Sequence, residues 1–304
     1  QTRERRAVAN GAEDPDRRET NDQAVCNCRK GRRHGRGVRH MPEIPEVEVF
    51  RQYVDATALH KTIRSVHVPE PDMLESVSRQ QLAHRLNARR FAETVRHGKH
   101  LFLKTEKQWT LVLHFGMTGY LRYTRSPEKV PAHARITIDF DNGYHLAYVC
   151  RRKLGVIDLT DDPGAYIRGK GLGPDPLAEG FGPERFADRL KPRRGYLKSA
   201  LMNQKILAGI GNVYSDEILF QTGFHPRTAV ADLDEAEVKD LFAVMLEIID
   251  TSIGARAQPD ELPPDYLTRR RKAGRPCPRC GGQIERTQVA GRTAYYCPRH
   301  QKKR

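Results

Sequence analysis

Residues 136–149 read ITIDFDNGYHLAYV, and this stretch decides the fold class. Residues with a preference for β-structure fill both of its ends, and Asp141-Asn142-Gly143 lies between them, a pattern typical of an antiparallel hairpin. Strand-like runs also occur earlier, at 101–103 and 110–113, within a segment that extends from about Thr62 to Leu159. Successive short strands separated by turn residues predict an antiparallel β-sandwich.

The run MPEIPEVE, residues 41–48, precedes these strands. Apolar residues recur at helical spacing behind it, so we expect a leading amphipathic helix from Pro45 to about Ala56. If translation starts at Met41 and this methionine is removed, Pro42 presents a secondary amine, which can attack an electrophilic carbon and form an iminium ion. The alternative is that the prolines only open the helix, where proline is favoured.

The chain of 304 residues has a formal charge of +15, with 53 Lys and Arg against 38 Asp and Glu. This excess indicates a polyanionic partner, most simply nucleic acid. No apolar run approaches the roughly 18 residues that span a bilayer. We therefore expect a cytoplasmic, nucleoid-associated protein. Residues 1–40 are polar and rich in arginine, which predicts a disordered basic extension or a mis-assigned start.

A segment rich in glycine and proline, residues 169–176, separates the strands from a region with helical periodicity. Candidate helices follow at 183–190, 195–207, 212–221 and 234–253. The glycine turn 208–212 lies between the second and third of these helices. Its backbone amides suit a phosphate. The alternative is an ordinary turn between helices, capped by Asn212. We expect a catalytic domain at 42–170, a linker at 171–182, a helical domain at 183–256 and a final segment at 257–304.

Three cysteines and a histidine close the sequence with the spacing of a four-ligand zinc site: Cys277, Cys280, Cys297 and His300. With four protein ligands the Zn²⁺ would be structural, one ion per chain. A three-cysteine site without His300, or coincidence, is the alternative. The residues between the two pairs favour strands and turn at Gly291-Arg292, so Arg292 lies at a hairpin tip. There it can bind a phosphate or be an ordinary exposed arginine.

Six motifs, in this order along 41–304, resemble the bacterial formamidopyrimidine-DNA glycosylases and their endonuclease VIII relatives. They are PEIPEVE at 42–48, RHGKHL at 96–101, HFGMTGYLR at 114–122, LGPDPL at 172–177, NQK through GIGNVY at 203–214, and the zinc finger. The resemblance implies an α+β fold. Its parts are an N-terminal antiparallel β-sandwich with a leading helix, a helix-two-turn-helix domain and a zinc-finger hairpin.

The resemblance also implies an activity, the removal of oxidised bases such as 8-oxoguanine and formamidopyrimidines from double-stranded DNA by a monomer. Pro42 would attack C1′ as a Schiff-base nucleophile, and Glu43 would protonate the sugar ring oxygen. Glu46 and Lys99 complete the implied catalytic set, and β,δ-elimination would then cut the strand. The implied contacts with the DNA backbone are His114, Lys205, Asn212 and Arg292.

By the same resemblance, Met117, Arg152 and Leu154 fill the space left by the extruded base. Leu154 replaces the family's aromatic wedge, which puts discrimination of the opposite base in doubt. Residues 257–274 also differ from the usual loop that closes over 8-oxoguanine. Alternatives are an endonuclease VIII-like enzyme for oxidised pyrimidines, a catalytically inactive DNA-binding zinc protein, and, less well supported, a helix-two-turn-helix protein that binds RNA.

Overall fold

A computed structural model of the protein describes residues 41–302. The expectation of a disordered extension or mis-assigned start falls on residues 1–40, outside the described range. Among the described residues, no helix combines the length and apolarity needed to cross a membrane.

The N-terminal part contains a leading helix and two four-stranded antiparallel sheets. Helix α1 spans Ile44–Thr57, close to the predicted bounds, and a short helix α2 spans Arg79–Leu86. The strands are β1 (Ile63–His67), β2 (Phe91–His97), β3 (His100–Thr105), β4 (Thr110–His114), β5 (Gly119–Thr124), β6 (Ala134–Phe140), β7 (His145–Cys150) and β8 (Val156–Thr160). Their order is β1-β6-β7-β5 in one sheet and β2-β3-β4-β8 in the other.

The predicted hairpin at 136–149 is present as β6 and β7. Ile138 pairs with Leu146, and the turn closes through a hydrogen bond from Phe140 N to Tyr144 O at 2.9 Å. Gly143 has a φ of +80°, a conformation that a residue without a side chain adopts readily. Local turn chemistry thus fixes the register of the two central strands of the first sheet.

The C-terminal part is helical and ends in a two-stranded hairpin. Its elements are α3 (Pro163–Gly169), α4 (Pro183–Leu190), α5 (Leu197–Met202), α6 (Asn212–Gln221), α7 (Glu235–Gly254), β9 (Glu285–Val289) and β10 (Arg292–Tyr296). The prediction of a helix at 195–207 was too long, because turns replace it after Met202, where Ile206 N bonds to Asn203 O at 2.9 Å. The predicted α+β class is confirmed.

Close backbone approach joins the two parts at the start of α1. Ile44 is fully buried in the apolar cluster of the C-terminal helices. A Cβ atom added to Gly209 would lie 2.3 Å from Ile44 Cγ1, and one added to Gly98 would lie 2.8 Å from Ala208 Cβ. Only glycine fits at either position. The β2–β3 turn, the start of α1 and the turn before α6 therefore meet at one point.

Candidate active site

Glu43 occupies the centre of this meeting point. It precedes α1 and is 1% exposed. Its carboxylate accepts hydrogen bonds from Gly211 N at 2.6 Å, Val213 N at 2.9 Å and Tyr214 N at 3.3 Å. The amides at the start of α6, which the glycine turn offered to a phosphate, are thus bonded to the protein's own carboxylate. These amides, which suit an anion, thus hold a carboxylate of the protein itself, and the N-cap residue of α6 is Gly211 instead of Asn212.

Lys99 lies beside Glu43. A Cβ atom at Gly211 would be 2.8 Å from Lys99 Nζ and 2.5 Å from Glu43 Cδ, so Gly211 leaves room for both side chains. Burial lowers the pKa of Lys99, the charge of Arg292 adds to this shift, and Glu43 and Glu46 oppose it. Lys99 Nζ is also 3.9 Å from Met41 Sδ, which places the ammonium next to the residue before Pro42. Pro42 itself is buried.

Glu46 is the second buried carboxylate and lies one turn further along α1. It accepts a hydrogen bond from Glu43 N at 2.9 Å and one from the Tyr214 hydroxyl at 3.4 Å. Burial raises the pKa of Tyr214 well above its ordinary value, so this phenol stays protonated and remains a donor. The structure therefore brings together all four predicted catalytic residues, Pro42, Glu43, Glu46 and Lys99.

The glycine-rich linker fixes the turn that carries Lys99. Asp175 is 3% exposed. It accepts a hydrogen bond from Gly98 N at 2.6 Å and one from Arg96 at 3.0 Å. Arg96 also pairs with Glu48 of α1 at 3.1 Å. These contacts hold the β2–β3 turn against α1, which explains why a segment with the composition of a flexible linker is ordered here.

A pair of histidines lies behind Lys99. The His100 and His114 ring centroids are 4.9 Å apart, and His100 Nδ1 is a buried atom without a hydrogen-bond partner. Burial, reinforced by the charge of His114, lowers the pKa of His100 to about 3. Burial and the charge of Lys99 lower the pKa of His114 to about 4. Both imidazoles are therefore neutral near pH 7.

This pair predicts a loss of stability in acid. The unfolded histidine pKa is about 6.5, above both folded values, so their contribution is complete above pH ~6.5 and declines as the pH falls toward the folded pKa values. The unfolding free energy of the parent protein should fall between pH 7 and 5. In a His100→Gln variant we expect this fall to be smaller by about 1–2 kcal/mol. Urea unfolding at both pH values measures this difference. A His84→Gln variant, on the exposed side of α2, is the control, and an unchanged pH slope for His100→Gln would contradict the prediction.

Two of the residues predicted to contact the DNA backbone flank Lys99, and a third lies elsewhere. Asn212 follows Gly211, and its buried Oδ1 has no hydrogen-bond partner. Arg292 is exposed at the start of β10, near enough for its charge to affect Lys99. Lys205 is exposed on the turn after α5, where its Cε would be 3.9 Å from a Cβ at Gly171. The structure thus places Asn212 and Arg292 around the carboxylate pair and Lys205 beside the linker.

A buried ion network, absent from the sequence predictions, connects this site to the hairpin. Asp216 of α6 is fully buried and pairs with Lys198 and Arg271, each at 2.7 Å. It also accepts a hydrogen bond from Tyr295 N at 3.1 Å. Lys198 and Arg271 both donate to Asn212 O, at 3.3 and 3.1 Å. The helix that binds Glu43 is therefore attached directly to the strand that begins with Arg292.

The three predicted wedge residues lie on two neighbouring loops. Met117 is half-buried on the loop between β4 and β5. Arg152 is exposed, and Leu154 is 49% exposed, on the loop between β7 and β8. Leu154 is one of few large apolar side chains with such exposure among residues 41–302. An apolar side chain held in solvent suits insertion into a base stack.

The hairpin base contains a cluster of sulfur atoms. The Sγ atoms of Cys277, Cys280 and Cys297 all lie within 4.8 Å of one another, and those of Cys280 and Cys297 are 3.5 Å apart. Thiolates around a tetrahedral Zn²⁺, with Zn–S near 2.3 Å, are separated by roughly 3.8 Å, so the three cysteines fit zinc. His300 is not part of this group. Its Nε2 lies 2.8 Å from Phe220 O.

Three profiles of known domains match the chain. The formamidopyrimidine-DNA glycosylase N-terminal domain matches residues 41–157, and the H2TH domain of the same enzymes matches residues 172–259. A zinc finger found in FPG and IleRS matches residues 274–302. The chain is therefore a helix-two-turn-helix protein with a zinc finger. A structural zinc ion belongs in the cysteine cluster.

Whole-chain comparisons define the family. The formamidopyrimidine-DNA glycosylase of Heliobacterium modesticaldum is 34% identical over 277 residues, which cover 86% of this chain and 100% of that protein. The crystal structure of Lactococcus lactis formamidopyrimidine-DNA glycosylase with AP-site DNA has a TM-score of 0.77 at 28% identity, covering 86% of this chain and all of that one. The structure of MutM in complex with DNA containing carbocyclic 8-oxo-G has a TM-score of 0.78 at 29% identity, with the same coverage of both chains. The chain belongs to the formamidopyrimidine-DNA glycosylase family.

Proposed function

We propose that this protein excises oxidised bases from double-stranded DNA through the amine of Pro42. It is a base-excision-repair DNA glycosylase with AP lyase activity. One observation supports the mechanism above all others. Buried Pro42 is followed by a carboxylate, Glu43, which three backbone amides fix beside the Lys99 ammonium. An amine, a fixed carboxyl group and a cation in one buried place are the groups that imine chemistry on a sugar requires.

The reaction begins when the lone pair of Pro42 N attacks C1′ and the bond from C1′ to the damaged base breaks. Glu43 takes up the proton that the Pro42 nitrogen loses after the attack and delivers it to the sugar ring oxygen, so that the ring opens and an iminium ion forms. The iminium acidifies the C2′–H bond, and loss of this proton to a base expels the 3′ phosphate. The conjugated iminium then acidifies the C4′–H bond, and loss of that proton expels the 5′ phosphate. Lys99, whose pKa burial lowers, binds the adjacent phosphate and transfers protons. The Glu46 carboxylate helps to position Glu43 by accepting a hydrogen bond from the Glu43 backbone N–H.

The remaining site residues bind and deform the DNA in this proposal. His114, Lys205, Asn212 and Arg292 contact phosphates, which fixes the duplex without reading its sequence. Met117, Arg152 and Leu154 occupy the space vacated by the extruded nucleotide. The formal charge of +15 favours binding to a polyanion and makes the affinity fall with salt concentration.

The zinc ion has a structural role, because it stabilises a hairpin too small to fold alone. We propose His300 as its fourth ligand. A zinc-bound imidazole usually donates its second N–H to a carbonyl, and His300 Nε2 lies 2.8 Å from Phe220 O, which leaves Nδ1 for the metal. The domain limits 42–170, 183–256 and 257–304, a monomeric state, and a cytoplasmic location at the nucleoid belong to the same proposal.

The proposed function is tested with protein that begins at Pro42 and duplexes that contain one modified base. We expect release of 8-oxoguanine and a one-nucleotide gap with phosphate at both ends. A Glu43→Gln variant, which cannot donate the proton, should bind the same duplex and release little base. Tight binding without release by the parent protein would favour an inactive DNA-binding protein. A strong preference for oxidised pyrimidines would instead favour the endonuclease VIII-like alternative.

A further inference from the structure

The two loops that carry the proposed wedge residues are interlocked. A Cβ atom at Gly116 would lie 2.4 Å from the Leu154 carbonyl carbon, so the loop backbones touch. Arg152 N also donates a hydrogen bond to Thr118 Oγ1 at 3.3 Å. Residues 115–118 and 151–155 therefore form one unit, and a force that moves one loop moves the other.

Lys153, between the two exposed wedge residues of the second loop, has an unusual backbone conformation. Its φ is +52°, in the left-handed region that a residue with a Cβ atom seldom adopts. Its Nζ forms an ion pair with Asp72 Oδ2 at 2.7 Å and a second, shorter one with Glu70. Strained conformations of this kind persist only where surrounding contacts enforce them, and they concentrate at functional sites. The two carboxylates contact the ammonium of this residue, and the backbone approach at Gly116 and the hydrogen bond to Thr118 contact its neighbours.

Arg135 extends the same network to the start of the loop. Its side chain is buried, its Nε donates to Cys150 O at 2.9 Å, and its Nη1 pairs with Glu70 at 2.7 Å. Glu70 therefore connects Cys150, the last residue of β7, through Arg135 to Lys153 in the loop. Arg152 and Leu154 themselves remain exposed.

We propose that Lys153 is a positioning residue, which Glu70 and Asp72 hold so that Arg152 and Leu154 meet the strand opposite the lesion in a single arrangement. The inference rests on the proposed function, because it assumes that Arg152 and Leu154 enter the DNA. Contacts whose geometry is fixed before binding discriminate more sharply between opposite bases than contacts that can adjust. A loosened loop accommodates each opposite base more equally, so the network sets the discrimination between opposite bases.

The experiment compares single-turnover excision of 8-oxoguanine opposite C, A, G and T. Lys153→Met removes one positive charge, whereas the double variant Glu70→Gln/Asp72→Asn removes two negative charges. We expect both to reduce the ratio between the best and worst opposite base by about fivefold, since releasing strain of this size shifts an equilibrium by that factor. Lys153→Met and Glu70→Gln/Asp72→Asn change the net charge in opposite directions. If both reduce the ratio, a purely electrostatic effect on DNA binding is excluded as the cause.

The matched control is Lys104→Met. Lys104 of β3 is 37% exposed, as is Lys153, and it forms an ion pair with Glu93 of β2 at 3.0 Å. It pairs with Thr110 at the start of β4, whereas residues 115–118 follow the other end of that strand. Its loss should leave the ratio unchanged. Two further variants separate backbone conformation from charge. Lys153→Gly, which accepts a positive φ, should retain more discrimination than Lys153→Ala, although both lack the ammonium.

Unchanged ratios in Lys153→Met and in Glu70→Gln/Asp72→Asn would overturn the inference. Equal losses in Lys153→Gly and Lys153→Ala would also overturn it, because they would show that the backbone conformation at residue 153 does not set the discrimination. Borohydride trapping on a single-stranded abasic oligonucleotide, which has no opposite base, should be the same in all variants. If the parent protein gives no trapped adduct on an abasic duplex either, the proposed function itself fails, and this outcome is distinct from unchanged ratios.

Discussion

A Pro42→Gly variant is expected to bind lesion-containing duplex normally and to lose base excision, by about 10³-fold or more. Glycine keeps an amine at the chain start, but this amine is primary, and the pyrrolidine ring that fills the buried position and fixes its direction is gone. Because nucleophile position controls the first bond-forming step, the loss should appear in the single-turnover rate. Filter binding and single-turnover excision on the same duplex separate the two effects.

Two controls sharpen this prediction. Pro45→Gly removes a proline from the first turn of α1 and leaves the Pro42 amine intact, so it should retain excision within about tenfold of the parent rate, since a helix-start substitution costs about 1 kcal/mol. A protein in which residue 41 stays joined to Pro42 keeps every side chain but has an amide nitrogen at that position, and it should be inactive. Normal excision by either Pro42→Gly or the joined protein would mean that another group is the nucleophile.

An Asp216→Asn variant is expected to lose about 3–5 kcal/mol of unfolding free energy, the usual effect of removing one partner from a buried ion pair. Lys198 and Asp216 are fully buried and Arg271 is 8% exposed in its side chain, so the two cations would remain close together without their shared anion. The NH₂ group of the asparagine is itself a donor, so it would face one of the donors whose hydrogen bond Asp216 now accepts. Urea unfolding measures the stability loss.

The same variant should weaken DNA binding, because Asp216 attaches α6 to β10 through Tyr295 N. Glu235→Gln is a suitable control, since Glu235 forms an exposed ion pair with Lys191 at 2.7 Å, and such pairs contribute about 0–1 kcal/mol. A second variant, Arg271→Met, leaves the Lys198–Asp216 pair in place and should still weaken binding. Parent-like stability of Asp216→Asn would contradict the role assigned to the network.

The sequence predicted best the features that local chemistry determines. The hairpin around Asn142-Gly143 and the bounds of α6, Asn212–Gln221, match the structure, because turn residues and helix periodicity act over a few positions. Helix α2 was missed, although Ser78 and Gln81 form a capping box that the sequence displays. That signal lay inside a segment interpreted as strands throughout.

Long-range contacts between charged residues could not be predicted in this way. Asp216 and Glu217 look like the solvated face of a helix, yet both are fully buried. Glu217 instead accepts hydrogen bonds from Leu267 N at 3.1 Å and Thr268 N at 2.7 Å. Likewise, the partner of the α6 amides is Glu43, 168 positions earlier. Only the folded chain brings such residues together.

The central claim is tested most directly by borohydride trapping of protein that begins at Pro42, on an oligonucleotide with 8-oxoguanine or an abasic site. Reduction converts an imine into a stable bond, and mass mapping of the digested adduct then identifies the attached residue. We predict a single adduct at the Pro42 nitrogen. An adduct at Lys99 instead, or no adduct on either substrate, would contradict the account.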